Sequence, residues 1–193
     1  MTGAWMLEQN LLRHWIDRAR AGDASAFERL MLLHERMVLR TAQRLLLNTE
    51  DAKDATQEVF LKLYKNLDRF REEGDLAAWL YRMTVNVCFD SKRRSKAALP
   101  IDRAPESRDT APDPEKTTRA LQERALVIAA LGRLPERERA AVILRDIEGR
   151  STAEAAAILG SSEVTVRSQI STARTKIRKF VAGRLARPAG GTQ

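Results

Sequence analysis

Apolar residues in this chain recur at helical spacing, and no stretch alternates apolar and polar residues between hairpin turns as a half-buried strand would. That leaves an all-α fold. The pattern is clearest after Asn48 and Thr49, where Ala55, Val59, Leu63 and Leu67 stand at i, i+4, i+8 and i+12 on one slowly drifting face. Helix breakers then divide the chain. Of its 6 prolines, 4 lie between Pro100 and Pro114, in a stretch with few apolar residues whose acids Asp102, Glu106, Asp109, Asp113 and Glu115 outnumber Arg103, Arg108 and Lys116. Such a stretch cannot build a core and is expected to be a flexible acidic linker. The expected organisation is two small helical domains, residues 1–97 and 117–187, joined by a linker over 98–116 and followed by a disordered tail over 188–193.

Four helices are expected in the first domain. They run from about Ala4 to Arg20, from the Asp23 cap to about Leu47, from after Asn48-Thr49 through Leu67, and from Asp75 through Trp79, Leu80, Met83 and Val87 to Lys96. In the second domain the spacing predicts a helix with Leu121, Ile128 and Leu131 inward, then one with Pro135 in its first turn that ends at Gly149. Ser151 and Glu154 have capping-box spacing and open a short helix that stops at Gly160. Ser161 and Ser162 offer caps for the last helix, whose core face is Val166, Ile170, Ala173 and Ile177.

Charge narrows the class of partner. With 34 Lys and Arg against 26 Asp and Glu, the net charge is +8, which favours a polyanion: nucleic acid first, an anionic membrane surface second. Cys88 is the single cysteine, and His14 and His34 lack companions at metal-ligand spacing, so neither a disulfide framework nor a zinc site is expected. No cofactor is expected. No apolar run reaches transmembrane length, and the amphipathic start is unlike a signal peptide, so the expectation is a cytoplasmic protein without membrane insertion.

The excess charge collects at two places. From Ser161 to Arg187 seven basic residues face one acid, 7 − 1 = +6, with Arg167, Ser171, Arg174 and Arg178 along one flank and Thr165, Ser168, Thr172 and Thr175 facing away from the core. A short helix, a glycine turn and a second helix with polar outer residues is the layout of a helix-turn-helix, with arginines for phosphates and hydroxyls for base edges; a solvated helical hairpin is the bland alternative. The second place is the end of the fourth helix. Lys92, Arg93, Arg94 and Lys96 follow Asn86 on it, and Phe70 with the segment "REEGD" precedes it; amides, aromatics and cations together suit unstacked bases as well as phosphates.

The segments "TEDAKDATQEVFLKLYKNLDRF", "AAWLYRMTVN" and "LPERERAAVILRDIEGRSTAEAAAILGSSEVTVRSQISTARTKIR" follow one another in the order seen in a known family. The chain resembles the extracytoplasmic-function (ECF) sigma factors of the bacterial sigma-70 family over nearly its whole length. That resemblance implies a two-domain initiation factor that binds core RNA polymerase and directs it to promoter DNA, with an anti-sigma factor as a frequent further partner. It implies polymerase binding by Asp51, Asp54, Gln57, Glu58, Phe60, Leu61 and Tyr64. It implies melting and reading of the −10 element by the segment from Phe70 to Arg94, through Phe70, Arg82, Asn86, Lys92, Arg93 and Arg94. Reading of the −35 element falls to Ser162, Thr165, Arg167, Ser168, Ser171, Thr172, Arg174 and Arg178. Val85, Gln169 and the pair Ser171-Thr172 depart from many relatives, and so the promoter sequence stays open. The competing function is a helix-turn-helix transcriptional regulator whose N-terminal helices dimerise or sense a signal. An enzyme has little support, since the carboxylates mostly pair with Lys or Arg at i,i+4 and no nucleophile–base set appears.

Overall fold

The structure is a computed structural model, described here over residues 2–71, 74–98 and 119–185. All regular structure among the described residues is helical. The chain divides into two compact units, Met1–Ser91 and Lys92–Gln193. The linker and tail expected over 98–116 and 188–193 fall almost wholly outside the described residues, as do Glu72 and Glu73 of "REEGD".

The first unit contains α1 (Thr2–Arg20), α2 (Ala24–Leu46), α3 (Thr49–Asn66), a 3-10 turn over Leu67–Arg69, and α4 (Leu76–Ala98). The division between units falls inside α4, ahead of the end expected at 97: the helix outruns its buried residues, because the basic residues after Ser91 are good helix formers. Caps set the other boundaries. Asp23 accepts from the Ser25 and Ala26 amides, Asn48 from those of Glu50 and Asp51, and Asp75 from Ala77. Helix α2 ends on Leu47 in the left-handed region (φ 61°), whose amide returns to the Gln43 carbonyl at 2.9 Å. The core holds Leu30 and Val38 of α2, Val59 and Leu63 of α3, and Leu76, Leu80, Val85 and Val87 of α4, each 1% exposed or less. Ala55 and Leu67 join them, so the whole stripe of α3 read from the sequence is inward.

In the second unit α5 (Arg119–Gly132) leads to α6 (Glu136–Val142), a π turn over Ile143–Ile147, α7 (Thr152–Leu159) and α8 (Glu163–Leu185). Pro135 stands one position earlier than expected, as the N-cap of α6. The inward face of α5 also differs. Ile128 is 41% exposed, because the inward side of that helix runs through the buried Ala130 and Leu131, with Leu126 and Ala129 half-buried beside them. Leu131 is buried as expected, and the side chain of Leu121 lies outside those described. Arg139 is 6% exposed and spans from α6 to the end of α5. Its Nε donates to the Leu131 carbonyl at 2.8 Å and its Nη2 to that of Leu134 at 2.9 Å.

Candidate nucleic-acid and polymerase interfaces

Helix α7 opens on the full capping box: the Glu154 amide donates to Ser151 Oγ at 3.1 Å while the Glu154 carboxylate accepts from the Ser151 amide at 2.7 Å. Hydrogen bonding to the carboxylate from the Ser151 side chain and from the Ser151 amide holds the Glu154 carboxyl below its ordinary range. The helix stops at Gly160, where φ of 58° suits glycine, and the Ser161 amide returns to the Ala156 carbonyl at 3.0 Å in a Schellman-type closure. Two residues later Ser162 caps α8, its Oγ accepting from the Thr165 amide at 3.1 Å. A short helix, a left-handed glycine and a capped second helix make a helix-turn-helix.

Helix α8 buries Val166, Ile170 and Ala173 and turns Ser162, Thr165, Arg167, Ser168, Ser171, Thr172, Arg174 and Arg178 outward. The geometry changes the reading of its cations. Arg174 makes a two-pronged pair with Asp146 on the π turn, at 2.9 and 2.6 Å, which raises its pKa, and Lys176 pairs with Glu138 of α6 at 2.8 Å. Arg167 pairs with Glu163 at 2.7 Å. Arg174 therefore ties α8 to the π turn as well as lying on the basic flank, which corrects the view of it as a cation committed to phosphate. Val164 is the outward residue that sequence reasoning missed. It is 71% exposed, on the first turn of α8 and opposite the buried face; the helical wheel that placed Val166 inward would have shown it.

On α3, Asp51, Asp54, Gln57, Leu61 and Tyr64 are exposed along one side, with Glu58 beside them in an i,i+4 pair with Lys62 at 2.9 Å. Leu61 and Tyr64 are 59% and 61% exposed, and Tyr64 rests edge-on against Phe27 of α2 with ring centres 5.1 Å apart. Phe60 is different. At 4% exposure it belongs to the core, one position round the helix from the exposed Leu61, so its place in the expected polymerase-binding set is corrected.

On α4, Arg82, Asn86 and Arg93 are exposed at i, i+4 and i+11, on one face, between the buried Val85, Val87 and Cys88. Lys92 and Arg94 flank that face, the former half-buried. Phe70 is also corrected. It is 8% exposed and stacks on Trp79 with ring centres 5.4 Å apart and 29° between planes, so its ring is packing, not a platform for a base. No group of acidic, His and Cys side chains suited to a metal occurs among the described residues, and none of their helices is long and apolar enough to cross a membrane.

Two helical units, one of them a basic helix-turn-helix, have the architecture of a DNA-binding transcription protein. The profile for Sigma-70 region 2 matches residues 30–98 and that for Sigma-70, region 4, matches residues 124–177. The chain is 35% identical to the ECF RNA polymerase sigma factor SigM of Mycobacterium tuberculosis over 164 residues, 83% of this chain and 80% of that one. It is 31% identical to the ECF RNA polymerase sigma-E factor of Escherichia coli over 183 residues, 89% of this chain and 95% of that one. The solved structure of CnrH in complex with the cytosolic domain of CnrY superposes with a TM-score of 0.67 at 26% identity, covering 90% and 98% of the two chains. The chain belongs to the ECF sigma factors of the sigma-70 family: it is an RNA polymerase sigma factor, and the regulator alternative is not favoured.

Proposed function

We propose a division of labour in which the outward side of α3 docks on core polymerase, the outward face of α4 opens and reads the −10 element, and α8 reads the −35 element. Residues 1–97 and 117–187 act as the two functional domains, with 98–116 as the linker between them. The observation that carries this reading is the face of α4. An amide, Asn86, stands between two guanidinium groups, Arg82 and Arg93, on a helix whose neighbouring positions are buried. An amide bonds a base edge in two directions, and cations along the same line hold the strand's phosphates. Lys92 and Arg94 widen that cationic track. On α8, Val164 adds an apolar contact suited to a thymine methyl beside the hydroxyls of Thr165 and Ser168. The protein works in the cytoplasm, without catalytic chemistry of its own. An anti-sigma factor is a further partner in this reading, supported by the likeness to CnrH, which was solved in complex with the cytosolic domain of CnrY.

The test is Asn86→Ala in permanganate footprinting of promoter opening. A lost base contact costs about 1–3 kcal/mol, which is roughly a five- to hundred-fold loss of open complex. A pre-melted bubble should not restore it. Normal opening by this variant on the duplex would return the basic end of α4 to an ordinary solvated face.

A further inference from the structure

Helix α1 ends at Arg20, ahead of the first residue matched by the region 2 profile. Its guanidinium reaches across to carbonyls 47 and 50 residues later. Nε donates to the Leu67 carbonyl at 3.2 Å and Nη2 to the Phe70 carbonyl, while Nη1 lies 3.5 Å from Asp17 Oδ1. Leu67 and Phe70 bracket the 3-10 turn after α3; the Leu67 carbonyl also accepts the Phe70 amide at 3.1 Å, and the planar fork of Arg20 reaches both residues' carbonyls at once. Phe70 is held from the other side too. Its ring stacks on Trp79, and Gly74 backs onto it so closely that a Cβ there would sit 3.1 Å from the ring and 3.0 Å from the Arg71 carbonyl. Gly74 in turn donates its amide to Arg71 at 2.9 Å. Arg13, Asp17 and Arg20 rim a small cleft against Phe70 and Gly74.

We propose that Arg20 is a positioning residue for promoter opening: by gripping the Leu67 and Phe70 carbonyls it holds the Phe70 ring against Trp79 of α4, so that α4 meets the duplex already in place. The inference rests on the reading of α4 as the opening and −10 face. Ordering an arginine costs side-chain entropy, and here that cost is met at the entrance to α4, where preorganisation acts on the opening step. Reading of an already separated strand depends on α4 itself and is spared.

The experiment compares Arg20→Ala, Arg20→Lys, Gly74→Ala, Arg13→Ala and Asn86→Ala in the polymerase holoenzyme, on duplex and pre-melted promoter. Arg20→Ala should lose about tenfold to a hundredfold in opening rate on the duplex and recover to near the parent level on the pre-melted template. Arg20→Lys, which can fill one carbonyl, should lie between, and Gly74→Ala should repeat the Arg20→Ala pattern from the opposite side of Phe70. Arg13→Ala, in the same cleft but off both carbonyls, should behave like the parent. If Asn86→Ala is impaired while Arg20→Ala and Gly74→Ala open the duplex normally, the role given to Arg20 is overturned and the reading of α4 stands. Equal impairment of Arg20→Ala on both templates, or loss of its binding to polymerase, would make Arg20 a fold residue only and also overturn the proposal. Normal opening by Asn86→Ala would instead remove the reading of α4 beneath it.

Discussion

Arg139, which is buried, and His34, which is half-buried, are two ionisable side chains with opposite solutions. Arg139 spends its donors on the carbonyls that end α5, and burial moves its pKa down while it stays cationic. Arg139→Ala would leave those carbonyls buried without that donor and should cost about 3 kcal/mol in chemical denaturation, with Arg139→Lys recovering less than half. His34 on α2 has its Nε2 buried with no hydrogen-bond partner, and burial lowers its pKa from the ordinary 6.5 against the pull of Asp75. The unfolded chain therefore binds the proton more readily than the folded one. The stabilisation is complete above pH 6.5 and is lost as pH falls below it toward the depressed folded value. Thermal melts from pH 8 to 5 should show this slope in the parent and lose it in His34→Gln. The Asp23 cap titrates in a separate window. Bonds from Ser25, the Ala26 amide and Arg18 hold it at about 2, so its contribution, present above the ordinary carboxylate range, disappears only as pH falls toward that value.

Among the elements, α8 carries a balance between cohesion and DNA contact. The acids facing it, Asp146 and Glu138, hold Arg174 and Lys176 from neighbouring elements and so place the helix while reducing its free charge. Asp146→Asn should release Arg174 to phosphate. The duplex affinity of the full chain should rise, and the slope of log K against log salt should steepen by about 0.9, one counterion's worth. An unchanged slope would assign the pair to packing alone. Asp146 was not legible in the sequence, because its place depends on the π turn. There the Glu148 amide bonds the Ile143 carbonyl, five residues back, at 2.9 Å, which shifts the register that a 3.6-residue wheel assumes. By contrast α3, α7 and α8 were legible nearly residue by residue, since Asn48, the Ser151–Glu154 box, Gly160 and Ser162 are local signals that fix their own boundaries. The inward turn of Phe60 and the exposed Ile128 were not, and neither were the packing of Phe70 on Trp79 of the next helix and the reach of Arg20 to carbonyls 47 and 50 residues away, which depend on neighbours outside their own element.

At the scale of the molecule, each compact unit carries its own core and its own outward face: α3 and α4 in the first, α8 in the second. A sigma factor needs all of these, because polymerase must be bound by one surface while promoter DNA is bound by others. A DNA-binding regulator needs only α8. The most direct measurement is run-off transcription from a genomic fragment library by purified core polymerase with and without this chain. Transcripts with discrete starts should appear only when the chain is present. They should vanish when Leu61→Asp and Tyr64→Asp are combined on the exposed side of α3, with duplex binding through α8 intact. Sequence-specific duplex binding by the parent chain without any chain-dependent transcript would contradict the account.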